Sequence, residues 1–524
     1  MPGGGLYGLV AYGSQNTLIS GNPSMTYFYK NYKQHSHFFE ESITTAMDGP
    51  NEIAWDQRVQ VRLKVKRMAD LLRDIYFTFT LPAIYSKFVP PEERGSQYNF
   101  AWVRFIGCAI IHNAAFFVGG QKIQEFDGNY ILAKAFADYD DETFHKFRQL
   151  VGDVDELTNP GMGIYGGGSE KVGYPTTYRD DGAQVQDNRP SIQGRDIYVP
   201  LPFWFSEDPT GAVPLIALQE HECEIQVQLR SIQELYTILD THGNPVRPGY
   251  RSVPAAVPGG ARDSMQLEYE FDPSAAEVQI RNFLTDFDQS QPPLNSLYIE
   301  PRIQGTYVYL TEKEQFKFCN ETLTYMVHQV MTFNFPAVYT REFLDINAHN
   351  LLTRFIVVPR RTDSIEYRND YMNWTNWLRP NKAPYQPTAN IPVYSNFFYS
   401  SGRNIPNSQR DIIRGIRVIC DGNELQEEKP ADYFSRIVPW KYMTGAGNPA
   451  TSRSGLAVYP FGIRYNGLQP AGSINSSRIR SMQVDLNVWP LATNTNYVYD
   501  ITIYAETMNW FVVASGKGGL KYAL

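Results

Sequence analysis

TYFYKNYKQHSHFFEESIT (26–44) and TYVYLTEKEQFKFCNETLT (306–324) align without a gap. Seven of the nineteen positions are identical: Thr26/Thr306, Tyr27/Tyr307, Tyr29/Tyr309, Lys33/Lys313, Phe38/Phe318, Glu41/Glu321 and Thr44/Thr324. The same offset of 280 carries Leu71-Leu72 onto Leu351-Leu352, each pair leading into a strand that ends near Pro82 or Pro359. Further on, GQKIQE (120–125) meets GNELQE (422–427) at an offset of 302, and IQVQL (225–229) meets MQVDL (482–486) at 257. Four matches in one order indicate a tandem duplication. The drifting offset places extra residues in the second copy before its Gly turn, and in the first copy between about 126 and 225, where PGMGIYGGGSEKVGYPTTYRDDGAQVQDNRP (160–190) is dense in turn-formers.

The repeated unit reads as β structure. In 58–66, Val59, Val61, Leu63 and Val65 alternate with Arg58, Gln60, Arg62, Lys64 and Lys66. The same period of two runs through 222–229 and 482–488, as in half-buried strands. IYFTFTLP (75–82), RFIVVP (354–359) and YDITIYAETMNWFVVA (499–514) are rich in β-branched and aromatic residues. Helical spacing is scarce, with ADLLRD (69–74) and EKEQFKFCNE (312–321) the best candidates. Each copy spans about 200 residues, the size of one elaborated sandwich or barrel.

Composition agrees. The 524 residues are 43% hydrophobic and 14% aromatic, enough for large cores. The net charge of −8 comes without long single-sign blocks, which argues against dedicated nucleic-acid binding through the whole surface, since phosphate neutralisation needs clustered basic residues, and no direct sequence-specific nucleic-acid binding is expected. Cys108, Cys223, Cys319 and Cys420 lie far apart in or beside apolar runs, so buried reduced thiols are expected. No uncharged apolar run reaches the roughly 18 residues of a membrane span, and the N-terminus lacks the basic and apolar regions of a signal peptide. An intracellular product is expected.

The candidate chemical motifs fail on context. G-x-G-x-x-G occurs at Gly3-Gly5-Gly8 and at Gly161-Gly163-Gly166, neither after a strand. SGKGG (515–519) lacks the upstream glycine of a phosphate loop, and His221-Glu222 has Ile225 where a metalloprotease needs its second histidine. His35 and His37 form the one close histidine pair, better read as surface polarity than as a metal site. The acidic clusters Asp138, Asp140, Asp141, Glu142 and Asp153, Asp155, Glu156 lack calcium-loop spacing and are expected to be solvated. The basic face Arg58, Arg62, Lys64, Lys66 reads as the wet side of a sheet. No catalytic, cofactor-binding or metal-binding residue is assigned. Sequons at Asn320, Asn373 and Asn475 are possible N-glycosylation sites if the chain meets the modifying enzymes.

Both ends of the chain resemble one family. GGLYGLVAYGSQNTLISGNPSMTYFYKNYKQHSHF (4–38), with LVAYGSQN, SGNP and TYFYKNYKQHSHF as its specific elements, resembles the amino-terminal signature of major capsid proteins of nucleocytoplasmic large DNA viruses. YAETMNWFVVASGKGGLKY (504–522) resembles their terminal strand and tail. PLPFWF (200–205) with PLIALQEHECEIQVQL (214–229) looks like the close of their first domain, and YVYLTEKEQFKF (307–318) like the opening of their second. Lys33-Gln34 stands where many relatives carry two arginines, and 311–317 lacks their Asp/Arg-rich pattern.

The resemblance implies an all-β double jelly roll: two tandem antiparallel eight-stranded domains with long loop insertions and short helices. The expected divisions are an N-terminal arm (1–25), a first jelly roll (26–236, with a long insertion about 127–198), a connector (237–300), a second jelly roll (301–516) and a tail (517–524). It implies a structural, non-enzymatic major capsid protein without cofactors, forming homotrimeric pseudo-hexagonal capsomers in an icosahedral shell. Implied partners are neighbouring capsomers, minor capsid and penton proteins, and an inner membrane beneath the shell. The implied location is the virion, with assembly in the host cytoplasm. The alternatives are a carbohydrate-binding jelly-roll lectin and a β-sandwich glycosidase with an unrecognised carboxylate pair.

Overall fold

A computed structural model describes residues 3–522 apart from 31, 87–98, 161–189, 240–244, 257–261, 286–289, 378–409, 445–454, 465–468 and 492–496. In the first half, alternating apolar positions turn eight segments into strands: β1 (Phe38–Ala46), β2 (Val59–Lys64), β3 (Leu71–Leu81), β4 (Ile111–Val118), β5 (Gln121–Phe126), β6 (Arg195–Pro200), β7 (Cys223–Leu229) and β8 (Arg302–Leu310). They form two antiparallel sheets, β1-β8-β3-β6 and β2-β7-β4-β5. The second half repeats the order with β9 (Leu323–Val338), β10 (Glu342–Asp345), β11 (Leu351–Arg361), β12 (Ile413–Cys420), β13 (Asn423–Glu424), β14 (Ala457–Pro460), β15 (Met482–Val488) and β16 (Tyr499–Ala514). Its sheets are β9-β16-β11-β14 and β10-β15-β12-β13, so each strand corresponds to the one eight places later. This is the expected double jelly roll.

Irregularities repeat along with the strands. Arg73 is an extra residue where β3 meets β8, and Thr353 is extra where β11 meets β16. His112 bulges from β4 opposite β7, and Arg414 from β12 opposite β15. A bulge inserts one residue and reverses the facing of everything beyond it, so two shared bulges fix the correspondence residue by residue. Both Gly turns have left-handed central residues, Gly119-Gly120 (φ 57°, 80°) and Asp421-Gly422 (φ 50°, 80°), as tight hairpins require.

The register also corrects the sequence alignment. The Leu-Leu and Gly-turn matches hold. Cys223, however, takes the place of Met482, two residues from the expected pairing of Ile225 with Met482, which keeps the same face. Ser42 corresponds to Val330, because each opposes the same position of β8 or β16; the sequence match gives Thr322 instead. In the 26–44 block, residues 26–30 are exposed arm, whereas Thr306 to Leu310 lie in β8. The expected boundary at 300/301 hands β8 to the second domain, but its hydrogen bonds run to β1 and β3 of the first.

Helices add to this frame. EKEQFKFCNE forms a helix (Glu312–Asn320) as expected, but ADLLRD does not: Leu71 and Leu72 already belong to β3. The region after β5 holds two helices that the β-rich reading passed over, α1 (Gly128–Asp138), capped by the Asp127 carboxylate, and α2 (Asp141–Leu150), capped by Asp140. Cys108, Cys223 and Cys420 are buried free thiols, and burial pushes Cys223 up to about 12; Cys319 is exposed, contrary to expectation. SGKGG is a hairpin, with Ser515 and Gly516 turning β16 into a short strand at Lys517–Leu520. A single apolar cluster runs through both halves, from Ile53 and Phe116 to Ile356 and Phe511.

Candidate assembly interface

The outward face of the β9-β16-β11 sheet is covered by the first half of the same chain. Period two points Arg354 and Ile356 of β11, with Tyr504 and Glu506 of β16, away from their own core, yet all four are buried. They meet α1. The guanidinium of Arg354 donates to both carboxylate oxygens of Asp138 at 2.6 and 2.7 Å, and to Glu506 at 2.6 and 2.8 Å. The Tyr130 hydroxyl donates to Glu506 at 2.8 Å, and the Tyr504 hydroxyl to Asp127 at 2.9 Å. Lys134 pairs with Glu207 at 2.9 Å and lies 3.6 Å from Asp138.

These are charge-assisted bonds inside an apolar boundary, where an unpaired charge is very costly. Burial alone would raise the Glu506 carboxyl, but the Arg354 and Lys134 charges, with bonds from Arg354 and Tyr130, hold it well below the ordinary carboxylate range. Against burial, Glu207 and Asp138 hold the Lys134 ammonium well above its usual value. Aromatic contacts extend the seam: Phe136 stacks edge-on against Trp374 at 5.0 Å, and Trp204 lies 5.6 Å from Phe511. Lys517 pairs with Glu220 at 3.2 Å near its rim. The sequence reading missed this network. Its available signal was a charge within an apolar run, Arg354 before FIVVP and Glu506 inside YAETMNW.

The residues singled out from sequence scatter. Asp138 belongs to the seam; Asp140 is a helix cap; Asp153 is buried between Arg104 and Arg148 at 3.1 and 2.7 Å, so that carboxylate is engaged rather than solvated. Asp141, Glu142, Asp155 and Glu156 sit in first helical turns, where carboxylates favour the helix dipole. Arg58 donates toward His112 at 2.9 Å and Lys64 pairs with Glu222 at 3.0 Å on an exposed face. His35 and His37 are exposed, and His221 lies 3.0 Å from the Gly518 carbonyl. Among the described residues no group of three His, Cys, Asp or Glu is placed to hold a metal. Gly3, Gly5 and Gly8 fall in and beside a short exposed helix (Gly4–Val10), and Gly161-Gly163-Gly166 lies outside the described residues. Asn320 and Asn475 are exposed, whereas Asn373 is fully buried, donating to the Trp377 carbonyl at 2.7 Å and accepting from Thr375.

The N-terminal segment is a second surface. Helices Gly4–Val10 and Ser14–Ser20 bury no residue, and Leu18, Ile19, Tyr27 and Phe28 are almost fully exposed. Exposed apolar side chains in such density mark a contact surface. Among the described residues no helix is long and apolar enough to cross a membrane.

Comparison with known proteins agrees with this geometry. A family model described as "Major capsid protein N-terminus" matches residues 26–257, and one described as "Large eukaryotic DNA virus major capsid protein" matches 306–519. The major capsid protein of Phaeocystis pouchetii virus is 23% identical over 555 aligned positions, covering 99% of each chain. The solved structure of PBCV-1 VP54 superposes with a TM-score of 0.63 at 17% identity, covering 95% of this chain and 100% of the other. The Faustovirus major capsid protein gives 0.60 at 12%, covering 96% and 94%. With both halves matched in order on a duplicated eight-stranded frame, the chain belongs to the major capsid proteins of large eukaryotic DNA viruses.

Proposed function

We propose that this chain builds the shell of a large icosahedral double-stranded DNA virus as a homotrimeric, pseudo-hexagonal capsomer. The observation that carries the reading is the duplication itself: two barrels of matching strand order, fused through one continuous core and a charged seam. Three such chains present six similar barrels, and a ring of this kind closes at a discrete size. The role is structural, with no reaction step. The segment 1–25, exposed from residue 3 onward, reaches beneath the capsomer to neighbouring capsomers, minor capsid proteins or an underlying membrane, with penton proteins at the vertices and assembly in the host cytoplasm. The apolar side chains on that segment support this placement.

Light scattering on the purified particle tests the reading: the expected mass is three times the chain's 59.8 kDa. Deleting 1–25 is expected to leave a folded trimer that no longer forms shells. Normal shells from the truncated chain would remove the arm from assembly, and a monomer at all concentrations would remove the capsomer.

A further inference from the structure

The seam is one copy of a duplicated arrangement, and its counterpart faces solvent. Tyr130, Lys134 and Asp138 occupy one i, i+4, i+8 row of α1, and all three reach the seam. The helical segment 431–442 follows the second Gly turn as α1 follows the first: Phe126 before α1 opposes Ala114, and Lys429 before this segment opposes the corresponding Ile416. Its outward side carries Asp432, Arg436, Ile437, Trp440 and Lys441, again an aromatic ring, cations and an aspartate. This side is open: Trp440 is 85% accessible and Ile437 48%. The opposite side of the segment is anchored in its own half through buried Phe434, Ser435, Val438 and Pro439. Trp440 therefore stands out from a seated helix.

The receiving surface is duplicated too. The shared bulge places Asp74 at the position of Arg354, and Thr306 at that of Glu506. Tyr76 corresponds to Ile356, which is fully buried under α1's half, whereas Asp74, Tyr76, Gln304 and Thr306 remain half-exposed. The polarity is inverted. Glu40, Asp74 and Arg73 form a cluster with net negative charge, Arg73 lying 2.5 Å from Glu40 and 3.5 Å from Asp74. The exposed helix offers Arg436, bonded to Asp432 at 3.3 Å, and Lys441.

We propose that segment 431–442 of one copy docks on the β1-β8-β3 face of a second copy, with Arg436 facing Asp74 and with Ile437 and Trp440 covering Tyr76 and Thr306. The inference rests on the self-assembly reading above and names the surfaces that carry it. Because helix and face lie on different halves, the contact is heterologous, and every copy keeps one free helix and one free face until a ring closes.

The test uses the full chain and four variants, Trp440→Ala, Arg436→Asp, Asp74→Arg and the Arg436→Asp/Asp74→Arg pair. Association is read by concentration-dependent light scattering and folding by circular dichroism. Each single variant is expected to keep the wild-type spectrum and to weaken association at least tenfold. The charge-swapped pair is expected to regain most of it. Wild-type association in all single variants overturns the docking surface and leaves the capsid reading intact. A wild-type chain that never associates overturns both. If Asp74→Arg fails to fold, the two variants at exposed positions decide the matter.

Discussion

Arg354 and Asp138, 216 residues apart in sequence, form a two-pronged ion pair of 2.6 and 2.7 Å between a strand of the second half and a helix of the first. The same guanidinium holds Glu506 on the neighbouring strand. One cation therefore ties two carboxylates and both halves together at a site only 1% exposed.

Arg354→Leu leaves Glu506 and Asp138 without their main counter-charge, with Lys134 alone to balance both. Removing one partner of a buried pair costs about 3–5 kcal/mol. The expected outcome is a drop of that size in urea-unfolding free energy, with the halves separating more readily under limited proteolysis. An unchanged unfolding midpoint would show that the seam is held by its apolar contacts alone.

Acid should loosen the same seam. Burial would raise the Glu506 carboxyl, but Arg354, Lys134 and Tyr130 hold it below its unfolded value. A carboxylate depressed in the folded state stabilises at neutral pH, and that contribution is lost as pH falls from about 4.3, the unfolded value, toward the lower folded one. Urea midpoints measured from about pH 7 to about pH 3 should fall steeply in that acid window. Glu506→Gln should be less stable at neutral pH and show a shallower acid slope, because its side chain does not titrate. Parallel slopes for the two proteins would place the acid sensitivity elsewhere.

Much of this fold is legible in the sequence because half-buried strands announce themselves by period two: Val61 and Leu63 inward, Arg62 and Lys64 outward. The Leu-Leu pairs and Gly turns report true correspondences because each occupies a constrained place, a strand start or a left-handed turn. The first block misleads for a physical reason. Its identities Thr26/Thr306 and Tyr27/Tyr307 join an exposed arm to a core strand, and nothing local distinguishes the two. Strand β8 is hidden because a long connector separates it from β7, and its partners β1 and β3 lie more than 200 residues upstream. The seam is harder still to see. The α1 row reads as ordinary helix surface until the second half is laid against it, since burial there is a tertiary property.

Gly128 sets how closely α1 approaches the first barrel. A Cβ there would overlap the carbonyl oxygen of Cys108 and lie 2.6 Å from that of Ile111. Backbone atoms cannot rotate away as a side chain can, so Gly128→Ala must push the start of α1 outward. Overpacking of this kind costs about 1–3 kcal/mol, and here it also carries Tyr130 away from Glu506. The expected result is a lower melting temperature together with a smaller stability loss from Glu506→Gln in the Gly128→Ala background than in wild type. Full additivity of the two substitutions would mean that α1 keeps its place.

The three sequons should behave differently if the chain is expressed in a compartment that attaches N-linked glycans. Asn320 ends the Glu312–Asn320 helix and Asn475 lies in an exposed two-residue strand, so both side chains are accessible after folding. Asn373 is not: its amide donates to Trp377, and its oxygen accepts the hydroxyl of Thr375, the very residue that completes the sequon. A glycan at Asn373 would have to be accommodated in a site with 0% exposure, which folding excludes. Peptide mass mapping of secreted, folded protein should therefore find glycan at Asn320 or Asn475 and none at Asn373. Asn373→Gln should destabilise the fold by lengthening a side chain whose amide is fixed at both ends, whereas Asn320→Gln should be close to neutral. Glycan on Asn373 in folded protein would contradict the packing around Trp374 and Trp377.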